Sequence, residues 1–264
     1  GSAAASEFHD WDLLHDYGPP DGVTIESLTN SHTTIVLAGP KTRALLADAA
    51  PRTEWSHAAF PWLTVQQVFI GHVPASAMAV SFSGEDAFEL HIANEFLSAA
   101  YASLISHGAA HGLGHFGLFA TESMRMEKGY RHWKADLITE FDAYESGLDR
   151  FVSPKKSGYV GHEALTERRN APRRKFVSLR IENGTAPAHP GDSLMLGDSV
   201  VGTITSAAYG HRVDENLAMA FVDPDHVAEG TPLQALILGE HVAATVVTPC
   251  RYDPENARVK ASCV

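Results

Sequence analysis

The chain has 264 residues, enough for one large domain or two ordinary ones, and it is 44% hydrophobic and 20% charged, the composition of a globular protein able to bury a sizeable core. Its formal net charge of -12 excludes the basic footprint of a nucleic-acid binder. No apolar run approaches the roughly 20 residues needed to cross a bilayer, and no secretory signal pattern is present. The two cysteines, Cys250 and Cys263, make no disulfide framework and point to a reducing compartment: the cytoplasm, or the mitochondrial matrix in a eukaryote.

Gly1 to Phe8 (GSAAASEF) resembles a cloning scar, so the folded region is expected from His9. Thr24 to Leu28 alternates and reads as a strand. Thr33 to Leu37 reads as a buried strand, and Lys41 to Ala50 as a short helix with Leu45 and Leu46 inward. Three strand-like runs follow, Thr64 to Ile70, Ala77 to Phe82 and Ala87 to Ile92; the last two are joined by the hairpin-type link Ser83-Gly84-Glu85-Asp86. Asn94 is placed to cap a helix running to about Ser106, with Phe96, Leu97, Ala100, Tyr101, Leu104 and Ile105 on one face. The Gly-rich stretch 107–117 reads as a loop. Leu118 to Lys128 reads as a helix ended by Gly129. Residues 129–160 show little periodicity, and Gly161 to Arg169 is a short helix.

A composition shift at Asn170 to Lys175 suggests a boundary. Beyond it Phe176 to Ile181, Ser193 to Leu196, Ser199 to Ile204, Leu217 to Val222, Leu233 to Leu238 and His241 to Val247 are strand candidates. Gly197-Asp198 and Gly239-Glu240 stand where hairpin turns belong. The expected fold is therefore α+β: ferredoxin-like open antiparallel sheets with helices over 9–170, followed by a small all-β barrel over 171–264.

Three groups of side chains invite a chemical reading. Glu85 sits in a turn, where a carboxylate is either solvated or held at a sheet edge facing a cavity, able to accept two parallel N–H bonds. Arg125 shares a helical face with Glu122 and Met126; it fits either a surface salt bridge or a half-buried guanidinium paired with an acid, Glu85 among them. His107, His111 and His115 are spaced by four, as zinc ligands on a helix would be. Glycines interrupt that stretch and no H-E-x-x-H motif accompanies it, so no metal is expected. Gly112-Leu113-Gly114 lacks the third glycine of a dinucleotide fingerprint, and no G-x-S-x-G elbow occurs.

Several segments resemble those of a known family. Glu122 to Trp133 (ESMRMEKGYRHW) resembles the segment S-L-R-x-E-K-G-Y-R-x-W of the folate-binding region of sarcosine and dimethylglycine dehydrogenases, a region related to the aminomethyltransferase of the glycine cleavage system. Ser81 to Leu90 (SFSGEDAFEL) resembles S-Y-T-G-E-x-G-x-E-L, with Phe82 for the tyrosine and Ala87 for a glycine. Asp142 to Leu148 is similar to P-x-E-A-G-L, Gly158 to Leu165 to F-I-G-x-E-A-L, and Val200 to Gly210 to V-G-x-V-T-S-x-x-Y-G. The matches are colinear from about residue 20 to 260.

The resemblance implies tetrahydrofolate as cofactor. It implies that Glu85 holds the pterin, that Arg125 belongs to the same site, and that Tyr130 and Tyr209, in matching segments, also contact the cofactor. It leaves the catalytic residues unknown. Family members carry an aspartate in a G-G-x-x-D-D-like segment ahead of this region; no such segment is found, and His9 to Ala50 already resembles the stretch after it. The aspartate and the FAD-binding dehydrogenase portion are thus expected upstream or in a partner subunit. The implied activity is capture of an oxidised N-methyl carbon as 5,10-methylenetetrahydrofolate. The alternative is a folate-binding module without transferase activity. Its iron–sulfur assembly form carries K-G-C-[YF]-x-G-Q-E, and here Gly158 and His162 stand at the Cys and Gln positions. A metal-dependent hydrolase using the histidines is a third reading.

Overall fold

The computed structural model describes residues 6–182, 184 and 186–260. Cys263 and the first five residues of the expected scar lie outside them. The chain forms two compact units, one of residues up to 116 together with those from 255, the other of residues 117–254.

In the first unit α1 (Glu7–Asp16) buries none of its residues. It carries no apolar stripe to mark it, and it starts at Glu7, ahead of the expected His9. The sheet contains β1 (His32–Ala38), β2 (Val65–Ile70), β3 (Val73–Met78) and β4 (Ala87–Ala93), all antiparallel, in the order β1-β4-β3-β2. Helices α2 (Thr42–Ala49) and α3 (Leu97–Gly108) belong to the same unit and contribute to its core. Its core joins Leu45, Leu46 and Leu104 to Leu90 and Ile92 of β4. Trp55, Phe60 and Phe88 form a ring cluster with centroids 5.0–5.4 Å apart.

Thr24 to Leu28 is not a strand: its alternation finds no partner, and the segment is mostly exposed. The strand placed at Ala77 to Phe82 begins earlier, at Val73. Pro74 hid it, yet Pro74 pairs with Phe69 beyond the end of the β3–β4 ladder, where its missing N–H is not needed. Asn94 does not cap α3. A 3₁₀ turn (Asn94–Phe96) precedes the helix, and the Asn94 side chain accepts a bond from Thr33 Oγ1 and donates one to the Asn30 carbonyl. Of the expected inner face only Ala100 and Leu104 are buried; Phe96, Tyr101 and Ile105 are exposed.

In the second unit α4 (Leu118–Lys128) ends at Gly129, whose φ of 69° supplies the left-handed cap. An added Cβ there would lie 2.5 Å from the Pro249 carbonyl oxygen. An irregular stretch leads to α5 (His162–Asn170). Six strands then close a barrel in the order β10-β5-β8-β7-β6-β9: β5 (Lys175–Ile181), β6 (Ser193–Leu196), β7 (Ser199–Gly210), β8 (Glu215–Val222), β9 (Pro232–Ile237) and β10 (Glu240–Val247). Val177, Leu179, Ala220, Val222, Ala235 and Val246 are among the residues that fill it.

β8 is buried on both faces. Ala218, Ala220 and Val222 point into the barrel, while Leu217 and Met219 join Met126 of α4. That is why its sequence is a continuous apolar run instead of an alternation. β7 outlasts the expected Ser199 to Ile204 because a bulge at Ile204/Ser206 breaks its period. The last hairpin turns at Leu238-Gly239, with φ of 48° and 86°, one residue before the expected pair.

Candidate functional site

Glu85 occupies the loop from β3 to β4, in the first unit. Gly84 turns the chain with φ of 77°. The Ser81 hydroxyl accepts the Gly84 N–H (3.0 Å) and the Ser83 hydroxyl accepts the Glu85 N–H (3.3 Å). The next residue is fixed more strongly: Asp86 Oδ2 accepts from Arg43 Nε at 2.8 Å, and the Asp86 carbonyl accepts the Gly39 N–H. Arg43 also donates to the Trp55 and Phe60 carbonyls and lies 4.9 Å above the Phe88 ring. His57 Nε2 approaches the same Asp86 carboxylate at 3.7 Å. Burial lowers the His57 pKa, the Arg43 charge pushes the same way, and Asp86 opposes them. The loop is therefore anchored on both sides of Glu85, whose own carboxylate is 14% exposed and meets the half-exposed Arg258 at 3.2 Å.

Arg125 lies in the second unit and is neither half-buried nor near the surface. It is 2% exposed and its donors are met by protein. Nε donates to Glu122 Oε2 at 2.7 Å, Nη1 to Asp136 Oδ2 at 2.8 Å and to the Tyr130 carbonyl at 3.1 Å, and Nη2 to Ser206 Oγ at 2.8 Å. Its acid partners are thus Glu122 and Asp136, not Glu85. Asp136, fully buried, is equally saturated: Oδ1 accepts from Thr205 and Ser206, and Oδ2 from Arg125 and the His132 N–H. This hub ties α4 to the turn at 132–136 and to β7. A guanidinium with every donor committed positions its neighbours and has no fork left for a ligand.

Tyr130 and Tyr209 flank the hub through their backbones. Tyr130 offers its carbonyl to Arg125, and Tyr209 offers its carbonyl to Ser123 Oγ at 2.6 Å. The Tyr130 ring is half-buried, and burial raises its pKa. The Tyr209 ring is more open, with its hydroxyl donating to Asp214, an interaction that raises its pKa. The structure therefore brings Arg125, Tyr130 and Tyr209 around α4 in one unit, while Glu85 belongs to the other.

The three histidines take separate partners. His107 Nδ1 meets the Ser103 carbonyl (2.8 Å), His111 Nε2 meets Asp48 Oδ2 (2.6 Å) and His115 Nε2 meets the Tyr101 hydroxyl (2.7 Å). α3 runs through His107 to Gly108, further than the glycine content suggested.

The sequence reading missed the other buried ion pairs. Glu127 is fully buried and accepts the Arg212 backbone N–H and side chain. Glu145, also fully buried, accepts the Arg173 N–H at 2.8 Å and its guanidinium at 2.9–3.0 Å. Nothing local distinguishes these acids from surface ones, because their partners are 28 or more residues away.

Residues 1–156 match the domain family described as GCVT N-terminal domain, and residues 174–253 match the glycine cleavage T-protein C-terminal barrel domain. The chain is 27% identical over 263 residues to the mitochondrial dimethylglycine dehydrogenase of Mus musculus, covering 98% of this chain and 30% of that protein. It is 31% identical over 274 residues to the mitochondrial sarcosine dehydrogenase of Mus musculus, covering 98% and 29%. It is 30% identical over 224 residues to an aminomethyltransferase of Saccharopolyspora erythraea, covering 84% and 60%. A crystal structure of glycine cleavage system aminomethyltransferase T from Bartonella henselae superposes with a TM-score of 0.80 at 21% identity, over 95% of this chain and 67% of that one. The chain spans less than a third of the length of these dehydrogenases.

Proposed function

This chain belongs to the glycine cleavage T-protein family, and we propose that it is the tetrahydrofolate-binding region of a methylated-amine dehydrogenase of the sarcosine or dimethylglycine type. In this reading it captures an oxidised N-methyl carbon as 5,10-methylenetetrahydrofolate. The oxidation itself belongs to a flavin-bearing domain or partner subunit.

The observation that carries the reading is the Glu85 loop. A largely buried carboxylate on an anchored loop, paired with a half-exposed arginine, can exchange that partner for a ligand. Its two oxygens match the ring N–H and exocyclic amine of a pterin, a pair of charge-assisted bonds. The residues present therefore fit a reduced folate. Bound tetrahydrofolate supplies a nucleophilic nitrogen for an electrophilic one-carbon unit. The chain's part is orientation: Glu85 fixes the pterin, so that the nitrogen is held where the carbon arrives. Tyr130 and Tyr209 are proposed as further contacts. Arg125 contributes indirectly, by holding the backbone of Tyr130. No catalytic residue is assigned.

Calorimetric titration with 5-formyltetrahydrofolate tests the reading. Wild-type protein should bind, and Glu85→Gln, which turns one acceptor into a donor facing a ligand donor, should bind at least tenfold more weakly, a loss of about 1.4 kcal/mol. Equal affinity in a folded Glu85→Gln protein removes Glu85 as the pterin anchor. Absence of wild-type binding at millimolar ligand removes the folate reading.

A further inference from the structure

Most of the largely buried arginines of the second unit face a carboxylate. Arg125 has Glu122 and Asp136, Arg212 has Glu127, and Arg251 has Glu215. Arg131 is different. Its Nε is sealed from solvent and has no acceptor, and among the described residues no carboxylate pairs with its guanidinium. The neighbouring carboxylates that its charge feels are Asp136, whose oxygens are committed, and the exposed Asp149. Arg150, exposed and likewise without an ion pair among the described residues, adds a second positive charge nearby.

The group is nevertheless held in place. Its Cζ lies 4.6 Å above the Phe176 ring, and Phe176 packs edge-on against Phe221. Gly147 makes room on another side: a Cβ there would come within 2.6 Å of Arg131 Nη2. Burial lowers the guanidinium's pKa, with Arg150 acting the same way and Asp136 against it. A partly buried charge without a counter-ion is costly to the fold, and a protein usually pairs it. A partly exposed residue whose fork-shaped cation is fixed on an aromatic face and lacks an anion has the form of a receptor.

We propose that Arg131, seated on Phe176 and cleared by Gly147, is a binding group for the carboxylate of a ligand. The anion site stands on these contacts alone. Whose carboxylate it takes rests on the folate reading: either the glutamyl tail of the folate or the carboxylate of the methylated amino acid presents the required chemistry.

The first test is independent of folate. Glutarate at millimolar concentration should raise the melting temperature of the wild-type chain and leave that of Arg131→Met unchanged. Without ligand, Arg131→Met should melt no lower than wild type, because it removes an unpaired charge and keeps an apolar stem on Phe176. Equal glutarate shifts in the two proteins overturn the proposal, as does an unliganded Arg131→Met that fails to fold. Arg131→Lys, which keeps the charge and loses the fork, should fold and show a reduced shift; an undiminished shift also counts against the proposal.

The second test finds the source. Wild type should bind 5-formyltetrahydrofolate at least tenfold tighter than the corresponding pteroate lacking glutamate, and Arg131→Met should bind the two alike. If Arg131→Met instead weakens sarcosine alone, the carboxylate is that of the amino acid. Arg131-dependent glutarate binding with no binding of either folate would retain the anion site and discard the folate reading. Folate binding with no glutarate difference would do the reverse.

Discussion

Glu85 and Arg125 carry the same kind of mark in the sequence, a charged residue inside a family-like segment, and their surroundings are opposite. Glu85 stands in a loop fixed by its neighbours, Ser81, Ser83 and Asp86, and its carboxylate meets a half-exposed arginine. Arg125 stands on a helix, is 2% exposed and spends its donors on two acids, a carbonyl and a hydroxyl. A motif shows that a charge matters; only its hydrogen-bond partners show whether it serves a ligand or the framework. A binding group is held by its backbone and leaves its functional atoms exchangeable. A framework group is the reverse.

The largest effect expected from this contrast is at Arg125. Arg125→Met leaves Asp136 buried with its strongest partner gone, and breaking a buried pair from one side costs roughly 3–5 kcal/mol. Urea denaturation should show the second unit strongly destabilised, and Arg125→Met combined with Asp136→Asn should recover much of the loss. If Arg125→Met unfolds like wild type and only ligand affinity falls, Arg125 belongs with Glu85 and the contrast collapses.

The architecture was more legible than the site. Long apolar runs gave the barrel strands, and the Lys128-Gly129 step gave the end of α4, because those signals are local. Strand boundaries failed where a non-local fact intervened, as with Pro74, which lies beyond its neighbour's ladder. α1 escaped notice because nothing in it is buried, so no periodicity marks it. At the site, Glu85 and Arg125 could be singled out but not sorted. The sorting depends on Asp136, Ser206 and Arg258, which are 11, 81 and 173 residues from the groups they meet.

An intermediate effect is expected at Glu145, a second framework acid. The Arg173 side-chain and backbone bonds, with the Asp142 N–H, outweigh burial and hold its carboxyl down at about 2. A carboxylate held below its unfolded value adds stability that is fully present above the ordinary carboxylate range and fades as pH falls towards 2. The contribution is roughly 1–3 kcal/mol, since Arg173 is 45% exposed and partly screened. Melting temperature followed from pH 6 to pH 3 should drop more steeply for wild type than for Glu145→Gln. Parallel curves would show that this pair does not set the acid limit.

The smallest effect on stability is expected at Glu85, and that is what makes it informative. Its carboxylate pairs with Arg258, which is 50% exposed, and such pairs contribute between nothing and about 1 kcal/mol. The turn does not depend on the carboxylate. Gly84 supplies the left-handed residue, the two serines accept the loop's N–H groups, and Arg43 anchors Asp86. Glu85→Gln keeps the volume and can still accept from Arg258 through its amide oxygen. Its unfolding free energy should therefore stay within about 0.5 kcal/mol of wild type. The same substitution is expected to cost at least tenfold in folate affinity, so stability and binding should separate cleanly at this position. A stability loss of about 2 kcal/mol or more in Glu85→Gln would place Glu85 with Arg125 in the framework, and any loss of affinity would then report damage to the loop instead of a lost contact with the pterin.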